Sequence, residues 1–318
     1  MIKSGPTIRF CAITDVHFNL DVVREHWTIF DNQWREYSTA EDRLTAAIAT
    51  ANSTGCDLFI QLGDICDVGQ QVASWETELD LALDTMDDFE GEGVINVLGN
   101  HEANFAITKE GYEISDYWTA VDNSHNQVTR ANEHYEDGNL LCYTYDYGGF
   151  RFVSLFTDLY AFPTERLEWL YKGDDSGVLE TELPCIVLTH CIIYENPETD
   201  NYGYDLVSFS KSTAALIRST FEAAGNVRLV MSGHFHKNTI NENALVEVVN
   251  GIVYLALRGS ILGLNDGDSQ PGTVEDSAHY VVEIDANNIE SQLNLRVIGY
   301  KKGTSQDVQV PFVSYYLG

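Results

Sequence analysis

Residues 8–17 read Ile8-Arg9-Phe10-Cys11-Ala12-Ile13-Thr14-Asp15-Val16-His17: an apolar run long enough for one strand, stopped by Asp15 and His17, two side chains that bind cations. A short apolar run bounded by polar residues reads as a buried strand. Downstream, residues 39–52 place Leu44, Ala47, Ile48 and Ala51 at spacings that share one helical face, and the pattern closes at Gly55. Residues 57–62 then form a second strand that runs into Gly63 and Asp64. Strand, helix, strand is the parallel crossover unit of an α/β protein.

The same grammar continues outward. Residues 75–89 read as an acidic amphipathic helix, and residues 94–98 as a strand delivering Gly99, Asn100, His101 and Glu102. Residues 105–140 lack clean periodicity and read as an irregular insertion bordering the site. Its aromatic and imidazole side chains, Tyr112, Tyr117, Trp118, His125 and His134, either stack on a base or sugar or pack the loop itself. Residues 142–147 and 150–156 flank Gly148-Gly149 as a β-hairpin. A helix at 164–171, a strand at 184–188 ending in Thr189-His190, and a helix at 212–224 stopping at Gly225 follow. The strand at 227–231 leads to Gly233-His234-Phe235-His236, and the remainder is β-rich at 251–257, 279–284 and 292–300. No repeat, low-complexity linker or boundary interrupts the chain, so residues 1–318 read as one domain.

Charge narrows the function classes. Asp and Glu number 49 against 18 Lys and Arg, for a formal net charge of -31. Such a surface repels nucleic acid and acidic membranes, which excludes a general binder of either. The acidity spreads along the whole chain, a pattern shared by proteins adapted to high salt and by acidic mesophilic enzymes. No run has the length of a membrane-spanning helix and the start has no apolar signal-peptide core, so a cytoplasmic protein is expected, with a secreted mature form as the alternative. The six cysteines form no close pairs, and buried free thiols are expected.

Five times a strand-like run ends and His, Asp or Asn follows: Asp15 with His17, Asp64 with Asp67, Asn100 with His101, His190, and His234 with His236. Any one alone is an ordinary turn former or hydrogen-bonded histidine. Five in order are different, because ligands of open α/β sheets gather at the carboxyl ends of strands. Mixed imidazole and carboxylate donors suit Mn, Fe, Zn, Co or Ni, whereas Ca and Mg favour oxygen throughout. Two such ions need a bridging carboxylate. Asp64, beside a glycine that lets the chain turn close, is the natural bridge.

These residues resemble the motifs of the calcineurin-like metallophosphoesterase superfamily: D-x-H at Asp15-Val16-His17, G-D-x-x-D at Gly63-Asp64-Ile65-Cys66-Asp67, G-N-H-[DE] at Gly99-Asn100-His101-Glu102, then His190, then G-H-x-H at Gly233-His234-Phe235-His236. The resemblance implies a four-layer α/β/β/α sandwich with two facing mixed β-sheets flanked by helices. It implies that Asp15, His17, Asp64 and His236 hold one divalent ion and that Asp64, Asn100, His190 and His234 hold the other, with Mn, Fe or Zn as the metals. His101 is then the general acid, and Asp67 and Glu102 orient ligands or loops around the metals. The expected chemistry is attack of metal-activated hydroxide on a phosphoester. Residues 34–44 with Gln61-Leu62-Gly63-Asp64 resemble the manganese-dependent ADP-ribose and CDP-alcohol diphosphatase branch, which implies a phosphodiesterase or nucleoside-diphosphate-type pyrophosphatase acting on a small, nucleotide-like substrate. A phosphomonoesterase of broad specificity and a non-catalytic metal-binding scaffold are the alternatives.

Overall fold

The computed structural model describes residues 7–19, 26–28, 33–35, 39–66, 75–103, 113–124, 126–157, 162–193, 211–235, 244–260, 278–287, 292–301, 304–308 and 315–316. In chain order its first half contains β1 (Thr7–Ile13), the paired β2 (His26–Thr28) and β3 (Gln33–Arg35), α1 (Ala40–Thr54), β4 (Leu58–Gln61), α2 (Trp75–Met86), β5 (Gly93–Asn96), α3 (Ile114–Asn123), β6 (Ala131–Glu136), β7 (Asn139–Tyr147) and β8 (Phe150–Leu155). The second half contains α4 (Thr164–Leu170), β9 (Cys185–Thr189), α5 (Lys211–Ala224), β10 (Val227–Phe235), β11 (Ala244–Val249), β12 (Ile252–Arg258), β13 (His279–Asn287), β14 (Gln292–Lys301), β15 (Thr304–Val308) and β16 (Tyr315–Tyr316).

Strand β1 shows why the layers form. Side chains alternate across a strand, so Phe10 faces Phe152 of β8 with ring centroids 5.9 Å apart, while Cys11 turns the other way and its thiol donates to Ala47 O of α1. Phe10 and Phe152 are buried, and removing each ring from water contributes roughly 1.5–3 kcal/mol. One mixed sheet runs β15-β14-β13-β1-β4-β5 with β16 on β14; the other runs β11-β12-β10-β9-β8-β7-β6. Helix α1 packs on β1 and β13 of the first sheet, and α5 packs on β10 of the second. The α/β/β/α sandwich with two facing mixed sheets is therefore the fold.

The crossover expected from residues 8–64 is present, since β1 and β4 pair in parallel and β4 pairs in parallel with β5. In the second sheet β8, β9, β10 and β12 are parallel neighbours. Residues 279–308 belong to the same architecture as the start of the chain, because β13 pairs with β1 along Thr7 to Ala12. No described helix is long and apolar enough to cross a membrane. All six cysteines are buried and free.

The expectation of irregular structure at 105–140 is corrected by α3 and β6. Helix α3 buries Ile114, Tyr117, Trp118 and Val121, spaced i, i+3, i+4, i+7. The Trp118 indole N–H donates to Leu140 O at 2.6 Å, its ring meets Tyr143 edge-on, and Arg130 lies over it. Tyr117 and Trp118 thus pack the protein and are not free to stack on substrate. His134 packs against Trp169 and contacts Glu136. Tyr112 and His125 lie outside the described residues.

Candidate metal centre

The carboxyl ends of β1, β4 and β5 in one sheet face those of β9 and β10 in the other, and the segments that follow are tied together by backbone hydrogen bonds. Asp15 N–H donates to Gly63 O at 3.1 Å, His17 N–H to Asp64 O at 3.0 Å, and Gly233 N–H to His190 O at 3.0 Å. Gly63 has φ 95°, and a Cβ there would lie 2.7 Å from Gly99 Cα and 2.5 Å from His190 Nδ1. Only glycine permits that conformation and that approach together.

Asp15, Asp64 and His190 are each held by one atom and present another. Asp15 Oδ2 accepts from the Thr14 hydroxyl at 2.7 Å and from His234 N–H at 2.9 Å. Its Oδ1 lies 3.8 Å from His17 Nε2 and 4.0 Å from His190 Nε2. Asp64 Oδ1 accepts from His101 N–H at 2.9 Å. Its Oδ2 lies 3.0 Å from His190 Nε2 and 3.8 Å from Nε2 of both His17 and His101. His190 Nδ1 is 2.8 Å from Leu62 O; a carbonyl can only accept, so Nδ1 carries a proton and Nε2 is the candidate ligand atom. That Nε2 is 3.0 Å from Asn100 Oδ1 and 3.0 Å from His234 Nδ1.

The donor set fits divalent ions. Ligands about 2.0–2.2 Å from a shared ion stand roughly 3 Å apart at right angles and about 4.2 Å apart when opposed, and the separations of 3.0–4.0 Å seen here fall within that span. Two groups of candidate ligands have their atoms within 4.8 Å of one another: Asp15, Asp64, His190 and His234, and separately His17, Asp64 and His101. Asp64 belongs to both.

Electrostatics agree. Burial alone would lower the His190 imidazole, but Asp64 above all, with Asp15 and the bond to Leu62 O, overrides it and lifts the pKa to about 9. Burial likewise works to raise Asp64, yet His190, His101 and His17 hold it far below the usual carboxylate range. The surroundings of Asp64 therefore favour positive charge beside its carboxylate. Asp15, His17, Asp64 and His234 have φ of 54°, 50°, 55° and 64°, a left-handed conformation that disfavours side chains by about 1–2 kcal/mol per residue. Strain gathered at four neighbouring donors indicates a functional site.

Of the residues singled out in the sequence, Asp15, His17, Asp64, Asn100, His101, His190 and His234 meet in this pocket, while His236 and Asp67 lie outside the described residues. Glu102 is buried and offers no atom to the ligand groups. Its Oε2 accepts from Asp64 N–H at 2.9 Å and Gly99 N–H at 2.8 Å, and Oε1 from Cys66 N–H at 3.2 Å. Burial, then Asp64, raises its pKa. Sequence reasoning overlooked Thr14, which orients Asp15, and the structural use of Arg43, whose Nη2 donates to Val16 O at 2.7 Å. A hydroxyl next to the Asp-x-His motif was the only signal of the first; nothing local signalled the second.

This set of donors at strand ends can be compared with known proteins. The model of the calcineurin-like phosphoesterase family matches residues 8–238. The chain belongs to that family. It is accordingly a metal-dependent phosphoester hydrolase. Among solved structures, a dimetal phosphatase of Danio rerio superposes with a TM-score of 0.60 at 14% identity, covering 95% of this chain and 99% of that one, and at such identity supports the fold alone. The TT1561 protein of Thermus thermophilus follows at a TM-score of 0.45 and 12% identity over 80% of this chain and 90% of that one. A cold-active protein-tyrosine phosphatase of a psychrophilic Shewanella follows at 0.40 and 14% over 95% and 80%. No curated protein sequence matches significantly.

Proposed function

We propose that the chain is a dinuclear hydrolase of phosphodiesters or nucleoside-diphosphate-type pyrophosphates, working as a single domain over residues 1–318. Asp15, His17, Asp64 and His236 hold one ion; Asp64, Asn100, His190 and His234 hold the other. Mn, Fe or Zn suits these donors. The observation that carries this reading is the place of Asp64, common to both ligand groups, with Oδ1 restrained by His101 N–H and Oδ2 turned to three imidazoles.

When bound, the ions polarise the phosphoryl oxygens, acidify the attacking water and neutralise developing charge. The chain's own residues do the rest. Thr14 and the backbone of His234 hold Asp15; Leu62 O sets the His190 tautomer; Glu102 binds the turns after β4 and β5 into one rigid base. His101, anchored by its N–H and with its side chain 18% exposed against 0% for Asp64, gives a proton from its ring to the departing oxygen. The preference for diesters or pyrophosphates rests on the likeness of residues 34–44 and 61–64 to the diphosphatase branch.

Metal analysis of the purified protein, followed by a panel of phosphate mono-, di- and pyrophosphate esters with added Mn, tests this. Two ions per chain and preferential turnover of diesters or pyrophosphates are expected. Preference for monoesters would move the assignment to a broad phosphomonoesterase. No hydrolysis with both ions bound would leave a metal-binding scaffold.

A further inference from the structure

Strand β12 is parallel to β10, with Arg258 beside Phe235 in the ladder, so the residues after Arg258 emerge where Gly233-His234 enter the pocket. Ser260 N–H donates to Thr14 O at 2.8 Å, and the Ser260 hydroxyl donates to Asp15 O at 3.1 Å. Ser260 is buried. At Gly259 a Cβ would stand 2.8 Å from Asp15 Cβ and 3.3 Å from its Cγ and Oδ2; the backbone of 259 lies directly behind the Asp15 side chain. Asp15 itself holds a left-handed φ of 54°, which a neighbouring structure must enforce.

We infer that Gly259 and Ser260 are positioning residues of the metal centre: Ser260 fixes the peptide plane of Asp15 through its carbonyl, and Gly259 closes the space behind the side chain so that Oδ1 is presented to the ion shared with His17. Neither residue touches the ions. The inference rests on the dinuclear reading above and extends the centre to a strand that carries no ligand. Thr14 and His234 restrain Oδ2 of the same carboxylate, so the side chain is fixed from one end and the backbone from the other. Orienting partners of metal ligands commonly change metal affinity by about 10–100-fold.

The test is titration of chelator-stripped full-length protein with Mn, comparing wild type, S260A, S260T and G259A, with thermal unfolding of each metal-free form alongside. Wild type should bind two ions. S260A should lose about tenfold or more in affinity for one ion and keep the other, and S260T, which retains the hydroxyl, should recover most of the loss. G259A should weaken the same ion by crowding Asp15, which keeps the idea testable should S260A fold poorly. Unchanged affinities in S260A, or S260T as weak as S260A, would overturn the positioning role while leaving the dinuclear reading intact. Wild type that binds fewer than two ions would remove that reading itself, and this inference with it. A change in metal-free melting without any change in affinity would show Ser260 to be merely structural.

Discussion

His101 and Asp64 illustrate how much chemistry one residue's surroundings decide. The four described imidazoles of the pocket share a side-chain type, yet His17 and His190 are fully buried whereas the His101 side chain remains 18% exposed and lies edge-on to His17 with ring centroids 4.6 Å apart. That leaves His101 nearer solvent than the other two, as the proposed general-acid role requires. His101→Ala is expected to retain both metals and to lose about 10²–10⁴ in kcat on esters with poor leaving groups, with little loss on activated aryl esters that need no proton. Metal content and a leaving-group series check it; loss of an ion instead would make His101 a ligand, as its grouping with His17 and Asp64 permits. The identities of these residues were legible in the sequence because each follows an apolar strand. Their separate atoms were not: which oxygen of Asp64 is restrained, and which nitrogen of His190 is protonated, depend on Leu62 O and His101 N–H, and only folding brings these to them.

At the scale of elements, the strand-to-loop junctions hold the site, and the junction after β4 joins a left-handed backbone to close packing. Gly63→Ala combines an unfavourable φ of 95° with collisions against His190 and the Gly99 backbone. A loss of at least about 2 kcal/mol in unfolding free energy is expected, together with weakened metal binding; urea denaturation with and without metal measures it, and a stability equal to wild type would contradict the geometry. The strands of 8–13 and 57–62 and the helix between them were readable because each is long and strongly patterned. Helix α3 was not, although its buried residues obey helical spacing. Its two central core residues, Tyr117 and Trp118, are aromatics with polar handles, set among Asn, Asp and Ser that suggest loops, and it is their burial against β7 that makes the face a core face. The sequence also gives no hint that β10 continues to Phe235, since its register against β12 shifts between Ser232 and Phe235 and thereby sets His234 at the pocket.

For the whole molecule, charge and burial govern stability. A net charge of -31 means self-repulsion across the surface, and the Debye length shrinks from about 10 Å at 0.1 M salt to about 3 Å at 1 M. The melting temperature should therefore rise as NaCl increases over that range; a flat or falling trend would show the carboxylates to be locally compensated. Acid acts differently. His279 on β13 is buried, bonded through Nε2 to the Thr50 hydroxyl at 2.8 Å and stacked on Tyr300, and burial lowers its pKa from 6.5 to about 4. Between these values the unfolded chain takes up a proton that the folded one refuses, so this contribution is fully present above pH 6.5 and is lost as pH falls towards 4, to the extent of about 3 kcal/mol. His279→Gln should flatten that part of the stability profile relative to wild type, as measured by urea unfolding at each pH. Composition and pattern by themselves determined the α/β class, the acidic surface and the residue types at five strand ends, because hydrophobic periodicity and donor chemistry are local properties. Only the tertiary structure decided that two sheets face each other so that Asp15 and Asp64 of one meet His190 and His234 of the other, that Glu102 is a brace, and that Gly259 and Ser260 stand behind Asp15. Those contacts join residues up to 245 positions apart, and their distances come from how the sheets pack.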